Sequence, residues 1–481
     1  MTDLADPEIR AALVTRLGRL YDGRPVVLGP GVLAGHTSTV AGLLGRGCRV
    51  LVLATTRGAG DIPRSDDCTV VDLDVAPAAS VTDELRAVDH LAHHLPDHVV
   101  AAIEAFDPQG QAIWNTGHFV TSDEPILGRQ VVGGRPAAWL AMEDKILAEQ
   151  IWVAAGVPAA PHVVVPVDPR ALADATVQVA GRLGAVWSGD ARDGFNGGGN
   201  YVRWVADDVD QQAAYAFFEP RCDRVRVMPF LDGVPCSIHG IVVPDGTAVF
   251  RPVEIAMLRN EEAREFVYGG LSTYWDPPAA DREEMRALAR RVGDHLQAEY
   301  GYRGAFGVDG VLTADGFRPT ELNTRMSAGL ATVGSIDREL FSLAQEHLVA
   351  GLDTGLSVAD LESLLPVVDG ERTGRAVAIG AGVTVPEPDD YPVHYDGTTL
   401  ERTEVETGDR LVIGNTPTGF FAKINPCSSL RPGDRVAPLN AALMDFLDRE
   451  YGAGLGPVTA PPDVRRGRAP GRAELTTGTG P

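Results

Sequence analysis

The chain has 481 residues, 44% of them hydrophobic and 22% charged, a composition typical of a globular protein of about two to four domains. Lysine and arginine number 42 and aspartate and glutamate 66, which gives a net charge of −24. This acidity disfavours a nucleic-acid partner, because contacts between basic side chains and phosphates supply most of the affinity for a duplex.

The cysteines and the apolar segments indicate the compartment. The five cysteines are scattered and include no Cys-x-x-Cys pair, so we expect reduced thiols at Cys48, Cys68, Cys222, Cys236 and Cys427. The first residues lack the basic and apolar segments of a secretory signal, and the apolar runs are far shorter than the ~20 residues that span a bilayer. We therefore predict a cytoplasmic protein without a membrane partner.

Residues 1–135 carry the pattern of a parallel α/β domain. The predicted strands Arg24–Pro30 and Arg49–Thr55 flank a stretch of small and apolar residues that suits a helix, and further strand-like runs follow. The turn after the first strand contains Gly29 and Gly31 but lacks the dinucleotide-binding pattern Gly-x-Gly-x-x-Gly. The sequence therefore favours a structural turn over a nucleotide site in this domain.

The stretch from residue 136 to residue 158 has the apolar spacing of one helix. Lys145 lies roughly opposite the apolar stripe, and Gly156 and Pro158 end the helix. Taken alone, this pattern favours an ordinary surface lysine over a lysine presented to a ligand. The stripe consists of Leu140, Leu147, Ile151 and Ala154.

A glycine-rich loop with the sequence DGFNGGGN follows a predicted strand. Glycine N–H groups can approach a polyphosphate closely, and the loop holds Gly197, Gly198 and Gly199. Strand alternation resumes at Tyr201, so the loop is predicted to be a hairpin flap. A P-loop would instead lead into a helix and carry Gly-Lys-Ser/Thr. The alternative interpretation is a flexible hairpin tip without a ligand.

A predicted hairpin turned at Asp315 brings Asp309 near Glu321. The two carboxylates and the amide oxygen of Asn323 form an all-oxygen cluster, which suits Mg²⁺ that is also held by nucleotide phosphates. Arg325 extends from the same side and could stabilise negative charge at a reacting phosphate. A salt-bridged hairpin is the alternative, but the spacing Asp-x(11)-Glu-x-Asn-x-Arg favours the metal site.

Together these motifs resemble the ATP-grasp superfamily and, more closely, the pheganomycin-type peptide ligases of actinobacteria. The resemblance to the superfamily spans about residues 136–334. The segments that carry the closer resemblance are MEDK, GFNGGGN, MPFLDGVPCSIHG, FRPVE, TYWDPPAADREEMR and GFRPTELNTR. The implied fold is α/β and α+β, with a Rossmann-like pre-ATP-grasp domain, a two-subdomain ATP-grasp fold and a small β-rich C-terminal domain.

The domain boundaries follow from these segments and from composition. After residue 456 the chain is rich in Pro, Gly and Arg, which predicts a disordered tail. We predict the pre-ATP-grasp domain at 1–135, the ATP-grasp domain at 136–350 with subdomains at about 136–235 and 236–350, the C-terminal domain with one helix at 351–456, and the tail at 457–481.

The resemblance implies a role for each matching residue. Lys145 would bind the α- or β-phosphate, and Gly197, Gly198 and Gly199 would cover the phosphates. Arg325 would steady the transferring phosphoryl group and the tetrahedral intermediate. The Mg²⁺ ligands would be Asp309, Glu321 and Asn323, and the strand beside adenine would contribute Met228, Phe230 and Leu231.

One position departs from the family. A second phosphate-binding lysine usually lies on the strand before the flap, where this chain has Ser188. Loss of such a preorganised contact typically costs about 10²–10³ in rate. Arg192 and Arg203 flank the flap and are the predicted substitutes, with Lys423 as a more distant one. The adenine strand also lacks the family's glutamate, so adenine would be read through the backbone alone.

The function implied by the resemblance is an ATP- and Mg²⁺-dependent carboxylate–amine ligase. It would form a peptide or amide bond through an acyl phosphate, release ADP and phosphate, and serve specialised metabolism such as antibiotic biosynthesis. The expected partners are a small-molecule carboxylate and an amine or peptide nucleophile, and the sequence leaves a homodimer open.

Two other functions are considered. The first is a nucleotide-binding ATP-grasp protein with weak or lost turnover. Ser188 favours it, whereas the complete set from Asp309 to Arg325 disfavours it. The second is a biotin-type carboxylase, for which the sequence offers no partner feature.

Overall fold

The computed structural model of the chain describes residues 2–197, 199–385, 387–406 and 408–465. Gly198, one of the three predicted flap glycines, and most of the predicted tail lie outside these ranges. Among the described residues no helix is long and apolar enough to cross a membrane.

The first unit is built on a five-stranded parallel sheet with the strand order β3-β2-β1-β4-β5. Both faces of a parallel sheet are covered, so β1 and β2 are almost continuously apolar and buried. This sheet confirms the predicted α/β architecture. The strands are β1 (Pro25–Gly31), β2 (Arg49–Ala54), β3 (Thr69–Asp72), β4 (Ile113–Thr121) and β5 (Val131–Arg135), and the helices are α1 (Pro7–Gly18), α2 (Thr37–Gly45), α3 (Val81–His93) and α4 (Asp97–Phe106).

The single helix predicted at 136–158 is in fact two helices, α5 (Ala137–Ala141) and α6 (Lys145–Ala154). Asp144 separates them because its carboxylate accepts hydrogen bonds from the N–H groups of Ile146 and Leu147, which makes it the N-cap of α6. Lys145 is therefore the first residue of a helix. It is also only 6% exposed, so the interpretation of a surface lysine was wrong.

A four-stranded antiparallel sheet follows, with the order β6-β9-β7-β8. Its two helices cover one face with a core that includes Trp187, Val225 and Val227, so alternate residues of β7 and β9 face the opposite side. The elements are β6 (Val163–Pro166), α7 (Pro169–Val179), β7 (Ala185–Gly189), β8 (Val202–Val205), α8 (Asp208–Phe218) and β9 (Arg224–Pro229).

The largest sheet has eleven strands in the order β15-β14-β10-β12-β13-β16-β20-β19-β17-β18, with β11 paired to β10. Its first part contains the predicted hairpin of β14 and β15. The strands are β10 (Gly233–Val243), β11 (Gly246–Val249), β12 (Val253–Asn260), β13 (Glu265–Ser272), β14 (Gly304–Thr313), β15 (Gly316–Asn323), β16 (Gly374–Ala381), β17 (Asp389–Tyr395), β18 (Leu400–Arg402), β19 (Arg410–Thr416) and β20 (Gly419–Ile424).

Within the described ranges, six α-helices accompany this sheet. The longest, α9, buries Met285, Leu288, Val292 and Leu296 in the core beneath β10 and β14. The predicted C-terminal helix is α14, which packs on β12, β13 and β16. The helices are α9 (Ala279–Tyr300), α10 (Ala328–Val333), α11 (Arg338–Val349), α12 (Val358–Glu362), α13 (Leu365–Gly370) and α14 (Val436–Tyr451).

The C-terminal strands β16 to β20 extend the eleven-stranded sheet. Strand β16 pairs with β13, so the β-rich segment predicted as a separate domain continues the same hydrogen-bonded surface. The prediction of a disordered tail is wrong for residues 457–465: Thr459 and Arg259 exchange two backbone hydrogen bonds, and Asp463 accepts one from the indole of Trp275.

Candidate active site

A cavity of about 700 Å³ lies between the four-stranded sheet and the β10–β15 part of the large sheet. The flap and four residues of the first unit, Val81, Leu85, His118 and Phe119, also line it. Every predicted site residue that the structure describes lines this one cavity: Lys145, Ser188, Gly197, Gly199, Met228, Phe230, Leu231, Asp309, Glu321, Asn323 and Arg325.

Lys145 contacts the hairpin of β14 and β15 directly through Glu321. The Nζ atom of Lys145 lies 2.7 Å from Oε2 of Glu321, and the lysine side chain is buried while the glutamate is about one quarter exposed. The N-cap of α6 holds the helix end, and α6 packs against β15, so the geometry is fixed by two separate elements. The sequence predicted both residues for the site but not their ion pair.

Asp309 and Glu321 are direct cross-strand neighbours on β14 and β15, where the register shifts immediately after Asp309. Burial, and then the charge of Glu321, raise the pKa of Asp309 to about 6. The amide of Asn323 donates a hydrogen bond of 3.0 Å to Asp309. Two adjacent carboxylates beside an amide oxygen are hard ligands that suit Mg²⁺ and would gain a counter-charge from it.

Arg325 is held by an acidic residue of the MEDK segment. Glu143 accepts hydrogen bonds from the guanidinium groups of Arg325 and Arg135 and, at 2.9 Å, from the N–H of Thr324. Burial would raise the pKa of Glu143, but the two arginines outweigh it and hold that pKa below its ordinary value. The sequence analysis did not single out Glu143, although it lies two positions before Lys145.

Aromatic rings flank the same arginine. The Arg325 guanidinium carbon lies 5.1 Å from the ring centre of Phe119 and 5.2 Å from that of Phe195. Burial, and then the charges of Arg325 and Arg135, lower the pKa of His118 to about 3, so its ring is neutral. Sequence reasoning missed His118 and Phe119 because they come from the first unit and carry no local motif.

The flap is tied to helix α3 of the first unit. The Thr82 hydroxyl donates to the carbonyl of Gly197 at 2.9 Å and accepts from its N–H at 3.2 Å. Arg86 donates to the carbonyl of Phe195 at 2.9 Å and to the side chain of Asn196 at 2.7 Å. A Cβ atom on Gly197 would lie 2.5 Å from the Phe195 ring, so a larger residue there would force that ring to move.

The strand predicted to lie beside adenine forms part of the cavity wall. Phe230 packs between Trp204 and Phe266, with ring centres 4.7 and 5.7 Å away, and Arg259 lies over its ring. Its backbone N–H donates to the carbonyl of Gly184. That N–H is therefore already engaged, so we expect other backbone groups of this segment to meet a base.

The predicted substitutes for the missing lysine do not line the cavity. Arg192 pairs with Asp193 and donates to the carbonyl of Pro220. The guanidinium carbon of Arg203 lies 3.6 Å from the ring centre of Phe217, on the sheet face that the helices cover. Lys423 lies on β20, outside the cavity wall.

Solved structures show which fold surrounds this cavity. No protein-family model matches the chain, and no curated protein sequence matches it. The carboxyaminoimidazole ribonucleotide synthase from Aspergillus clavatus, complexed with ATP, matches with a TM-score of 0.50 and 14% identity over 89% of this chain and 99% of that one. The biotin carboxylase from Campylobacter jejuni, in a β,γ-ATP complex, matches with a TM-score of 0.53 and 12% identity over 91% and 92%.

A third match has a longer chain. Pyruvate carboxylase from Rhizobium etli gives a TM-score of 0.53 and 14% identity over 89% of this chain and 37% of that one. At these identities the likeness is one of fold. The chain shares the multi-domain α/β fold of these enzymes, which agrees with the fold class that its motifs predicted.

Proposed function

We propose that the chain is an ATP- and Mg²⁺-dependent ligase that joins a carboxylate to an amine and releases ADP and phosphate. The observation that carries the proposal is the convergence of Lys145, Glu321, Asp309, Asn323 and Arg325 in one cavity. They come from a helix start, two paired strands and the segment after them. The ATP complexes among the structures of the same fold support ATP as the phosphoryl donor.

The proposed chemistry rests on positioning and charge. Asp309, Glu321 and Asn323 would hold Mg²⁺, which neutralises charge on the phosphates. Lys145 would bind a non-transferred phosphate, and Arg325 would face the phosphoryl group that moves. A carboxylate oxygen of the substrate attacks the γ-phosphorus and ADP leaves. The amine then attacks the acyl carbon, loses a proton and expels phosphate.

One arginine of the cavity wall, Arg375, favours a substrate that bears a carboxylate. Arg375 lies on β16 opposite Leu271 and donates to two neutral acceptors, the Ala328 carbonyl and the Thr332 hydroxyl. Its Nε is buried without a hydrogen-bond partner among the described residues. The same cavity wall also includes the apolar residues Ile255, Met257, Leu271, Met326 and Ile379. An anionic group of the substrate would satisfy Arg375.

The finer proposal is peptide or amide formation in specialised metabolism, and it depends on the resemblance to the pheganomycin-type ligases. A second candidate function is a nucleotide-binding protein with little turnover. The uncharged Ser188 favours it, because a phosphate site without its second lysine is weaker. The arrangement of Arg325 between Glu143 and two aromatic rings favours catalysis, since a pure binder has no need of it.

The test is ADP release measured against a panel of amino acids and short peptides, with mass spectrometry of the products. The proposal predicts release of ADP that depends on both substrates, and a product lighter by one water than their sum. Two variants of the same hairpin accompany this test. Glu321→Gln should abolish the ADP release, and the matched control Asp315→Asn, at an exposed position, should retain it. Stoichiometric AMP and pyrophosphate would instead indicate adenylation and exclude the proposed reaction.

A further inference from the structure

The strand pairing places an arginine directly beside the position of the missing lysine. Ser188 on β7 and Arg226 on β9 are antiparallel partners, two residues along from the pair formed by Val186 and Met228. Side chains alternate along a strand, so these four residues share one face of the sheet, and all four line the cavity. The intervening Trp187 lies in the core on the opposite face.

Arg226 is buried and contacts the other predicted phosphate-site elements. Its side chain is about 2% exposed, and one Nη lies 2.6 Å from Oε1 of Glu149 on α6. The guanidinium also donates to the Lys145 carbonyl at 3.3 Å and to the Thr320 carbonyl, next to Glu321, at 3.0 Å. Its Nε has no hydrogen-bond partner among the described residues.

The ion pair of Arg226 presents its positive end to the cavity. Arg226 contributes to the cavity wall, whereas Glu149 does not, and the second oxygen of Glu149 lies 3.3 Å from Nδ1 of His162. Glu149 therefore holds the Arg226 guanidinium from the side that faces away from the cavity. An anion in the cavity would meet the arginine and not the carboxylate, and a charged donor in a buried site forms a strong hydrogen bond.

We propose that Arg226 is the cation that replaces the phosphate-binding lysine absent at Ser188, so that Lys145 and Arg226 together bind the phosphates of ATP. This inference rests on the proposed function and names one more residue of the same site. The same proposal explains why position 188 holds an uncharged serine and not a lysine. Two like charges directly opposite each other on paired strands are destabilising, so a strand position facing Arg226 is better uncharged.

The experiment is calorimetric titration of Mg·ATP into variants made in an E149Q background, which avoids leaving a buried carboxylate unpaired. Relative to E149Q, the double variant E149Q/R226Q is expected to raise the Kd of Mg·ATP at least about tenfold. Adding S188K to that double variant returns the charge from the neighbouring strand and should recover most of the affinity. S188K in E149Q alone should not tighten binding and should lower the thermal midpoint.

A matched control is R203Q, which removes an arginine from the same sheet on its helix-covered face and should leave the Kd unchanged. An unchanged Kd in E149Q/R226Q would overturn the inference. So would a loss of affinity that S188K does not repair at all, because a merely structural arginine could not be replaced from position 188. Absence of Mg·ATP binding by the unmodified chain would contradict the proposed function itself.

Discussion

Lys145 and Glu321 form an ion pair whose Nζ–Oε2 distance is 2.7 Å, between the first residue of α6 and the C-terminal half of β15. A magnesium nucleotide would offer each member a new partner, phosphate for the lysine and the metal ion for the carboxylate. Removal of one member of a buried pair leaves a charge uncompensated, whereas an exchange of partners does not. The pair therefore suits a site that must stay folded both with and without nucleotide.

Replacing Glu321 by glutamine should abolish turnover while the fold survives. The amide is uncharged, so the proposed metal site would lose one of its two carboxylates, and the buried Lys145 would lose its ionic partner. We expect ADP release to fall at least about 10²-fold, in a folded protein whose thermal midpoint is lower than that of the parent because the buried Lys145 has lost its ionic partner. A near-normal rate at low Mg²⁺, with Asp315→Asn as reference, would show that the hairpin is only structural.

Arg325→Ala should lower turnover by at least roughly 10²-fold, with a milder effect on ATP affinity. The guanidinium faces the cavity beside His118 and is fixed by Glu143 and two aromatic rings, so its charge is preorganised. Glu143 keeps Arg135 as partner in the variant, which limits the loss of stability. Steady-state kcat and the Kd of Mg·ATP, measured separately, check the prediction. A large rise of Kd with unchanged kcat would assign Arg325 to binding alone.

Loosening the flap from helix α3 should weaken ATP binding. Arg86→Ala removes the donor to Phe195 and Asn196 but leaves the cavity wall unchanged. Hydrogen bonds of this kind contribute about 1 kcal/mol, so we expect the KM for ATP to rise about fivefold with a smaller change in kcat. The control is Arg170→Ala, an exposed arginine on α7. Equal KM values in the two variants would mean that the flap does not depend on α3.

The stability of the fold should fall as the pH rises toward neutrality because of Glu346, which lies on α11 and contacts the first unit. Burial raises its pKa to about 7 from the ordinary 4.5, although hydrogen bonds from Tyr21 and Asn115 oppose this shift. Between these values the folded protein binds more protons than the unfolded chain, so the stabilisation is complete below about 4.5 and lost as the pH passes about 7.

Glu346→Gln removes this titration. We expect the variant to be more stable than the parent above about pH 7 and its thermal midpoint to vary less between about pH 5 and pH 8. Scanning calorimetry at several pH values measures both effects. Glu299→Gln, an exposed carboxyl on α9, should follow the parent curve. If both variants follow it, Glu346 does not carry the pH dependence.

Local patterns were enough to predict the hairpin and the side chains that it brings together. Asp309, Glu321 and Asn323 lie on two strands joined by a tight turn, and the two-residue period of a strand decides which side chains share a face. The parallel sheet of the first unit and helix α14 were predictable for the same reason, because their apolar spacing is a property of the neighbouring residues themselves.

Tertiary structure decided the rest, since the partners come from distant segments. Glu143 and Arg325 are 182 residues apart, and Thr82 and Gly197 are 115 apart, so no local spacing links them. The spacing around Lys145 favoured a surface residue, but the packing of α6 on β15 buries its side chain. The residue we propose in place of the missing lysine, Arg226, belongs to another strand and becomes the neighbour of Ser188 only through the pairing of β7 with β9. Strand pairing depends on the whole sheet, and for that reason the sequence pointed to arginines near the flap instead.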